Sequence, residues 1–247
     1  DEYVNFITSL FESDLKGKIN DNFKVVIDTA NGATSKIAPR VFKALGINYE
    51  VINNTPDGIN INHNCGSTHI DNLAKYVVEN GFSLGIAYDG DGDRCLCVDE
   101  KGNILDGDII LAIISDYLKQ QGKLKKDTVV ATVMSNLGLK KYCKDNNLNF
   151  EQTNVGDRYV LENMLENGYN LGGEQSGHII FLDYNPTGDG ILTSLMLVEI
   201  LLTAKKSASE MAKKINIYPQ ILINAKVPSD KKYAYKEDEV IKAAIEK

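Results

Sequence analysis

The sequence predicts an α/β protein made of two tandem copies of a mixed, mostly parallel α/β/α sandwich unit, plus a truncated third piece. Three observations support this fold class. Short apolar runs of strand length alternate with helical patterns along most of the 247 residues, as in sheets whose strands are joined by helices. The same order of motifs occurs twice. In each copy a glycine-rich polar loop follows a buried strand, where the active-site loops of such folds cluster.

In the first copy, turn residues separate the short apolar runs from the helical patterns. The expected elements are a helix over 3–12, a strand over 23–28, a helix through 41–45, a strand over 49–52, a helix over 71–79, and strands over 84–88 and 95–98. The polar stretch before the helix over 71–79 is expected to be a loop. The pattern predicts one sheet flanked by helices.

The second copy repeats this order. Strands are expected over 129–133 and 150–153, on either side of a helix that ends at Asp145. The segment ENGFSLG at 79–85 is echoed by ENGYNLG at 166–172. Repeated motifs in a fixed order predict two copies of one unit.

Apolar helices over 109–118 and 191–202 follow the two copies, with Asp106 and Thr187 as their expected N-caps. Because both polar loops follow equivalent strands, they are expected to lie at the same carboxyl-terminal edge of their two sheets and to be able to face one cleft.

The composition excludes some classes of function. The net charge of −7 argues against a nucleic-acid surface. The chain lacks an apolar run long enough to span a membrane and does not open on a signal peptide, so a cytoplasmic location is expected. The four cysteines, Cys65, Cys95, Cys97 and Cys143, follow neither a redox nor a zinc spacing, which predicts reduced core thiols.

The loop after the strand over 84–88 carries three carboxylates, Asp89, Asp91 and Asp93, separated only by glycines. Three anions this close repel one another unless a cation joins them. Oxygen-only ligation suits a hard ion such as Mg²⁺ or Ca²⁺, and the glycines allow the backbone to fold tightly enough for convergence. The pattern therefore predicts a divalent-metal site.

Two alternatives compete with this interpretation. Asp-Gly pairs are common in solvated turns, although such a turn gains nothing from three carboxylates. The spacing also matches a calcium-binding EF-hand loop, with Glu100 at the twelfth position. Against the EF-hand, Arg94 stands where its sharp turn requires glycine, and the flanking segments are expected to be strands instead of helices.

The second polar loop presents Glu174, Ser176 and His178 on alternate positions among glycines. A carboxylate, a hydroxyl and an imidazole form a mixture of acceptors and donors that suits sugar hydroxyls; the alternative is a glycine-rich turn with a structural histidine. Nearby, Arg158 offers a planar fork for a phosphate or carboxylate. Equally, Asp157 could cap a helix that carries Arg158 on its surface.

Taken together, these motifs resemble those of the α-D-phosphohexomutase family, and within it the phosphoglucosamine mutase branch, which Gln175 favours over glucose and mannose relatives. The matching segments are 28–33 (DTANGA), 56–58 (PDG), 65–69 (CGSTH), 89–94 (DGDGDR), 134–138 (MSNLG), 156–160 (GDRYV), 173–178 (GEQSGH) and 187–190 (TGDG).

The resemblance implies exchange of phosphate between the 1- and 6-positions of a hexosamine through a bisphosphate intermediate, with a phosphoserine as donor and Mg²⁺ as cofactor, feeding UDP-N-acetylglucosamine synthesis. It implies roles for eight residues: Asp89, Asp91 and Asp93 as metal ligands, Arg94 and His178 as catalytic groups, and Glu174, Ser176 and Arg158 as substrate-binding groups. A phosphoglucomutase or phosphomannomutase, or a non-catalytic calcium-binding module, remains an alternative.

The resemblance also implies a four-domain protein, of which this chain covers the middle. The expected parts are 1–12, a remnant helix of a missing N-terminal domain; 13–106, domain two with the metal loop; 107–218, domain three with the sugar loop; and 219–247, the start of a truncated C-terminal domain with a strand over 220–227 and a helix over 240–245. The expected partners are a hexosamine phosphate and the missing domains, without nucleic acid or membrane. The motif that carries the phosphoserine is absent, so the chain alone is expected to be inactive.

Overall fold

The computed structural model describes residues 1–223 and 226–245. The strands are β1 (Lys24–Asp28), β2 (Asn48–Ile52), β3 (Leu84–Tyr88), β4 (Cys95–Asp99), β5 (Ile104–Leu105), β6 (Thr128–Thr132), β7 (Asn149–Thr153), β8 (Leu171–Gly173) and β9 (Ile179–Phe181). The helices are α1 (Glu2–Leu15), α2 (Ala38–Ala44), α3 (Asp71–Asn80), α4 (Gly107–Gln120), α5 (Leu137–Asp145), α6 (Asp157–Asn167), α7 (Gly190–Ala204), α8 (Ala208–Ala212) and α9 (Glu239–Ile245). Across these ranges, none of the helices is long and apolar enough to cross a membrane.

The strands form two sheets, and the first four strands of each have the same topology. The first has the order β2-β1-β3-β4-β5 and the second the order β7-β6-β8-β9. In both, the first three strands are parallel and the fourth is antiparallel. The predicted fold class and internal duplication are therefore confirmed, and equivalent loops leave the carboxyl ends of β3 and β8.

Two local predictions are wrong. The N-cap of α7 is Asp189 and not Thr187, because Asp189 is the last extended residue and its carboxylate accepts the N–H of Leu192 at 2.9 Å. The strand expected over 220–227 does not form in its described residues; residues 224 and 225 lie outside them. The side chains of 221–223 are at least 68% exposed, so a neighbouring strand does not cover them, and an unpaired strand is not stable in water.

The two units share one hydrophobic core, because each unit contributes a helix to the other. Helix α7 follows the second sheet in sequence but packs against α1, β3 and β4 of the first unit. Helix α4 packs against α5 and β8 of the second unit, and against α7. The buried face of α1 (Val4, Ile7, Phe11 and Leu15) belongs to the same core. The sheets are thus joined by side-chain packing as well as by the chain.

All four cysteines are free and buried, as predicted. Cys95 and Cys97 point the same way from β4, with their Sγ atoms 3.8 Å apart. Burial raises the pKa of the Cys95 thiol, which keeps it protonated at neutral pH.

Asp108, in the first turn of α4, is a fully buried carboxyl group. Its Oδ2 accepts the backbone N–H of Asn136 at 2.6 Å, while Oδ1 is buried without a hydrogen bond in the described part of the chain. Burial raises the pKa of Asp108 to about 6; the Asn136 N–H opposes this shift and the charge of Asp106 adds to it. The folded chain therefore binds a proton here more tightly than the unfolded chain does.

The Asp108→Asn substitution is expected to stabilise the chain above pH 6, because it removes the cost of ionising a buried group. A folded-state pKa above the unfolded value of 3.8 means that the parent loses stability as pH rises from about 4 to about 6. The gain should be on the order of 2–3 kcal/mol at pH 7.5 and about 1 kcal/mol at pH 4.5, and it should vanish below about pH 3. Urea unfolding across this pH range measures it. Exposed Asp145→Asn is the control, and an equal gain at both pH values would contradict the expectation.

Candidate active site

The acidic loop connects β3 to β4 at the carboxyl edge of the first sheet. Ligand oxygens of Asp89, Asp91 and Asp93 all lie within 4.8 Å of one another, so the side chains converge as the sequence predicts. Two backbone features hold the turn. Gly92 has a φ of +83°, which favours glycine, and the carbonyl of Gly90 accepts the N–H of Ala33 at 2.8 Å. The geometry fits a single divalent cation.

The electrostatics of this loop also favour a cation. Burial raises the pKa of Asp89 to about 6, opposed by the N–H of Arg94 and reinforced by the charges of Asp93 and Asp91. Burial likewise raises the pKa of Asp93. Oδ1 of Asp93 is buried and accepts no hydrogen bond from the residues that the structure describes. A buried carboxylate oxygen without a donor is the kind of ligand that a hard metal ion satisfies.

Arg94 closes the acidic loop. Its backbone N–H donates to Oδ1 of Asp89 at 3.2 Å, and its Nε lies 3.8 Å from Oδ2 of Asp89 and 4.0 Å from Oδ1 of Asp93. The side chain is 43% exposed, so it partly neutralises the carboxylates while still reaching the cleft.

The EF-hand alternative is wrong. Antiparallel strands β3 and β4 flank the loop, where an EF-hand requires helices. Glu100 lies beyond the far end of β4 and accepts hydrogen bonds from the backbone N–H, at 3.2 Å, and the hydroxyl of Ser209. It therefore cannot serve as the twelfth-position ligand of this loop.

The second loop connects β8 to β9 and contacts the acidic loop directly. Arg94 and His178 form an antiparallel bridge, and the N–H of Cys95 donates to the carbonyl of Gly177 at 3.0 Å. Oε1 of Glu174 accepts the N–H of Gly156, the N-cap of α6, at 3.1 Å. The expectation that the two loops face each other is confirmed.

His178 is buried between the loops, with 3% exposure. Its Nε2 accepts the N–H of Gly188 at 3.2 Å and lies 3.6 Å from Oδ2 of Asp93 and 4.0 Å from Oδ2 of Asp157. Burial lowers its pKa, with Asp157 and then Glu174 opposing. The ring is therefore neutral at pH 7, and acceptance at Nε2 assigns the proton to Nδ1, which is buried without a hydrogen-bond partner in the described part of the chain. A Cβ on Gly188 would lie 2.5 Å from the ring, so glycine is required there.

One cleft of about 600 Å³ brings the two loops together. Its walls include most of the site residues predicted from the sequence, and further residues that were not singled out as site residues: Asp93, Arg94, Glu174, Ser176 and His178, with Thr132, Met134, Val155, Gly156, Asp157 and Gln175. A second cavity of about 410 Å³ on another side of the acidic loop is lined by Asp91 and Asp93. Of the three carboxylates, Asp93 therefore borders both spaces and Asp91 borders the second.

Arg158 lies outside the lining of this cleft. Its side chain is 81% exposed, and its Nε donates to Oε1 of Glu162 one turn along α6 at 2.7 Å. Gly156 is the N-cap of that helix, and Asp157, its first residue, lines the cleft. In this structure Arg158 follows the helix-surface alternative; a role in substrate binding stays a prediction.

Comparison with known proteins agrees with this architecture. A family model described as phosphoglucomutase/phosphomannomutase, alpha/beta/alpha domain II, matches residues 1–102, and the model for domain III matches residues 106–218. The chain belongs to the phosphohexomutase family. Both loops of the cleft lie within the matched ranges, one in each family domain.

Among curated phosphohexomutases, the chain is 56% identical over 241 residues to the phosphoglucosamine mutase of Acetivibrio thermocellus, covering 98% of this chain and 53% of that protein. It is 53% identical over 247 residues to the phosphoglucosamine mutase of Clostridium acetobutylicum, covering 100% of this chain and 54% of that protein. The chain therefore spans about half the length of the curated relatives it matches.

Solved phosphohexomutase structures share the fold. A phosphoglucomutase/phosphomannomutase family protein from Burkholderia thailandensis has a TM-score of 0.71 at 24% identity, covering 85% of this chain and 47% of that one. The Aspergillus fumigatus N-acetylphosphoglucosamine mutase in complex with GlcNAc-6P and magnesium has a TM-score of 0.71 at 19% identity, covering 88% and 50%. Magnesium is thus present in a family structure of this fold.

Proposed function

We propose that this chain forms the metal-binding and sugar-binding part of a phosphoglucosamine mutase, which interconverts glucosamine 1-phosphate and glucosamine 6-phosphate. The observation that carries the proposal is the cleft in which Asp93, a member of the convergent carboxylate cluster, lines the wall together with Glu174 and Ser176. The identity above 50% to curated phosphoglucosamine mutases over nearly the whole chain supports the choice of substrate.

In this proposal, Asp89, Asp91 and Asp93 hold Mg²⁺. When bound, the ion neutralises charge on the transferring phosphoryl group, which is the main requirement of this chemistry. Arg94, at the junction of the loops, adds a fixed positive charge beside the same oxygens.

The second loop binds and orients the sugar. Glu174 is fixed by the Gly156 N–H, so its free oxygen accepts from a sugar hydroxyl while the exposed hydroxyl of Ser176 donates or accepts. His178, neutral and buried, presents Nε2 beside Asp93 and holds the Gly188 backbone against the acidic loop. In the free chain its direct contacts are with the loops, so a proton-transfer role requires the substrate to approach Nε2. Arg158 reaches a substrate phosphate only after leaving Glu162.

We further propose that the half of the protein present in the relatives but outside this chain supplies the phosphoserine and the remaining domains. The division at 12/13, 106/107 and 218/219 remains our proposal for the domain boundaries. Because α7 packs on the first sheet, the boundary at 106/107 divides the sequence without separating two independent cores.

A substrate comparison tests the proposed function. The full-length protein is assayed with glucosamine, glucose and mannose 1-phosphates, and glucosamine 1-phosphate is expected to give the highest kcat/KM. Preference for glucose or mannose 1-phosphate would support the phosphoglucomutase or phosphomannomutase alternative. The 247-residue chain is expected to be inactive because it lacks the phosphoserine motif, and turnover by the purified chain would contradict this.

Mg²⁺ is expected to stabilise the 247-residue chain, because an ion that bridges three converging carboxylates binds the folded state in preference to the unfolded one. At a free concentration of about twenty times its Kd, Mg²⁺ should add about 2 kcal/mol to the free energy of unfolding. Calorimetric titration gives the Kd, and urea unfolding with Mg²⁺ or with EDTA gives the stabilisation. Submicromolar Ca²⁺ binding would instead favour a calcium-binding module.

A further inference from the structure

The polypeptide that leaves the second unit crosses the start of α5 at very close range. This exit segment, residues 216–220, follows α8 and lies against the N-terminus of α5. A Cβ on Gly138 would lie 2.2 Å from the carbonyl oxygen of Asn216, far below any real contact. The glycine therefore makes room for the exit segment, which indicates that the crossing is built into the sequence.

Asn136 joins the exit segment to α5 through its side-chain amide. Its Oδ1 accepts the N–H of Gly138 at 2.9 Å and the N–H of Tyr218 at 3.0 Å. Its Nδ2 donates to the carbonyl of Tyr218 at 2.8 Å and to Oε1 of Gln220 at 3.1 Å. The amide has two donors and two acceptor sites, so all four are used. With 3% exposure, the group is shielded from water, and its bonds are correspondingly strong.

The same network reaches the cleft wall. Nε2 of Gln220 donates to the carbonyl of Met134 at 2.9 Å, and Met134 lines the cleft. The backbone N–H of Asn136 donates to Asp108 in α4. The N–H of Gly107, also in α4, donates to the carbonyl of Gln175 at 2.9 Å. Asn136 is thus connected to the wall through Gln220 of the exit segment, and to the second loop through α4.

In the described part of the chain, the hydrogen bonds that join the exit segment to the second unit extend as far as Gln220. Within the exit segment, the backbone N–H and carbonyl of Tyr218 are both bonded to the side chain of Asn136. The amide thus takes the place that the backbone of a neighbouring strand has in a sheet. By contrast, Ile221, Leu222 and Ile223 are 83%, 68% and 83% exposed. The last firmly attached point of this segment is therefore at the rim of the cleft.

We propose that Asn136 is a positioning residue that clamps the exit segment to the cleft wall, so that the chain after Gln220 departs from a fixed point beside the site. The clamp thereby fixes the position at which the residues after Gln220 begin, relative to the cleft wall that contains Met134. This role depends on the hydrogen-bond geometry alone and not on the reaction proposed above.

Amide exchange at Tyr218 tests the clamp. The Asn136→Ser substitution keeps a hydroxyl that can cap α5, but it removes the Oδ1 acceptor of the Tyr218 N–H and both Nδ2 bonds, to the Tyr218 carbonyl and to Gln220. In ¹⁵N-tyrosine-labelled chain, exchange of the Tyr218 amide is expected to become at least tenfold faster, because a local opening then exposes it. Exchange of the Gly138 amide, followed in uniformly labelled chain, should change less than twofold. Asn146→Ser, at the other end of α5, is the control.

Tyr218 exchange within twofold of the parent in Asn136→Ser, or the same acceleration in the Asn146 control, would overturn the proposal. If Asn136→Ser does not fold, Gln220→Ala carries the test, because it removes only the bonds to Met134 and to Nδ2 of Asn136. It should then accelerate Tyr218 exchange about threefold, without a change in the midpoint of urea unfolding. Unchanged exchange in that variant would also refute the clamp.

Discussion

Asp91→Asn is expected to weaken Mg²⁺ binding by about a hundredfold while leaving the metal-free chain as stable as the parent, or slightly more stable. Asp91 is the exposed member of the carboxylate cluster, so its side chain makes little contribution to packing. Affinity for hard cations depends strongly on the number of anionic oxygens. In the absence of metal, the same substitution removes repulsion from Asp89 and Asp93. If Asp91 is a metal ligand, the substitution therefore leaves the metal-free stability unchanged or raises it. If Asp91 is a structural residue, the substitution lowers that stability.

Calorimetric titration with Mg²⁺ and urea unfolding in EDTA measure the two quantities. Asp21→Asn is the control, since Asp21 is an exposed carboxylate in the turn before β1, at the opposite edge of the first sheet. If Asp91→Asn bound Mg²⁺ as tightly as the parent, the acidic loop would not be the metal site. Lower stability of the variant in EDTA would mean that Asp91 has a structural role that the geometry does not reveal.

Gly107→Ala is expected to lower the free energy of unfolding by on the order of 3 kcal/mol, although helix propensity alone would favour alanine by about 1 kcal/mol. A Cβ at this first residue of α4 would lie 2.0 Å from the carbonyl oxygen of Glu174, 2.9 Å from the nitrogen of Gly177 and 3.0 Å from the carbonyl oxygen of Gln175. All three are backbone atoms, which cannot rotate away. Relief requires the second loop to move, so Glu174 and Ser176 should be displaced as well.

Urea unfolding measures the loss, and the chemical shift of the Ser176 amide reports movement of the second loop. Gly168→Ala is the matched control: Gly168 caps α6 with a φ of +68° and has only Lys126 Nζ, at 3.9 Å, near its absent Cβ. It should cost about 1–2 kcal/mol through backbone strain alone and leave Ser176 unshifted. A Gly107→Ala variant as stable as the parent would show that α4 does not press on the loop.

Elements whose signal is local were predictable from the sequence. Strand β3 matches its prediction at both ends, because five buried residues stand between polar neighbours. The convergence of the acidic loop was predictable because alternating Asp and Gly after a buried strand leaves few other arrangements. The duplication was visible because the loops and helix starts recur in a fixed order, and the sheets repeat it in three dimensions.

Features that depend on tertiary packing were not predictable from the sequence. The order of residues suggests that α7 belongs to the second unit, yet it packs on the first sheet. Its apolar residues run around the whole helix, a sign of burial on all sides, but this sign does not say which sheet provides the cover. The approach of Asp157 to His178 and the bond between Gln175 and Asp106 likewise require coordinates.

The N-cap of α7 and the segment after Tyr218 show how similar local signals compete. Thr187 and Asp189 are both good caps, and only the backbone direction decides that Asp189 is used, where its carboxylate also accepts the Tyr3 hydroxyl at 2.8 Å. Residues 220–227 alternate like a strand, but strand formation requires a free sheet edge, which a sequence pattern does not reveal.

The packing of α7 on the first sheet has a consequence for how the molecule could be cut or could evolve. A break in the peptide between β5 and α4 would leave the first piece without α7, the helix that covers its sheet. The second piece would keep α7 but would lack the sheet on which that helix packs. Each piece alone would expose apolar surface that the other piece covers, so the two should associate. This makes the junction suited to split-protein reassembly. An ancestor made of a single copy would have needed a second molecule of itself to provide the missing roof.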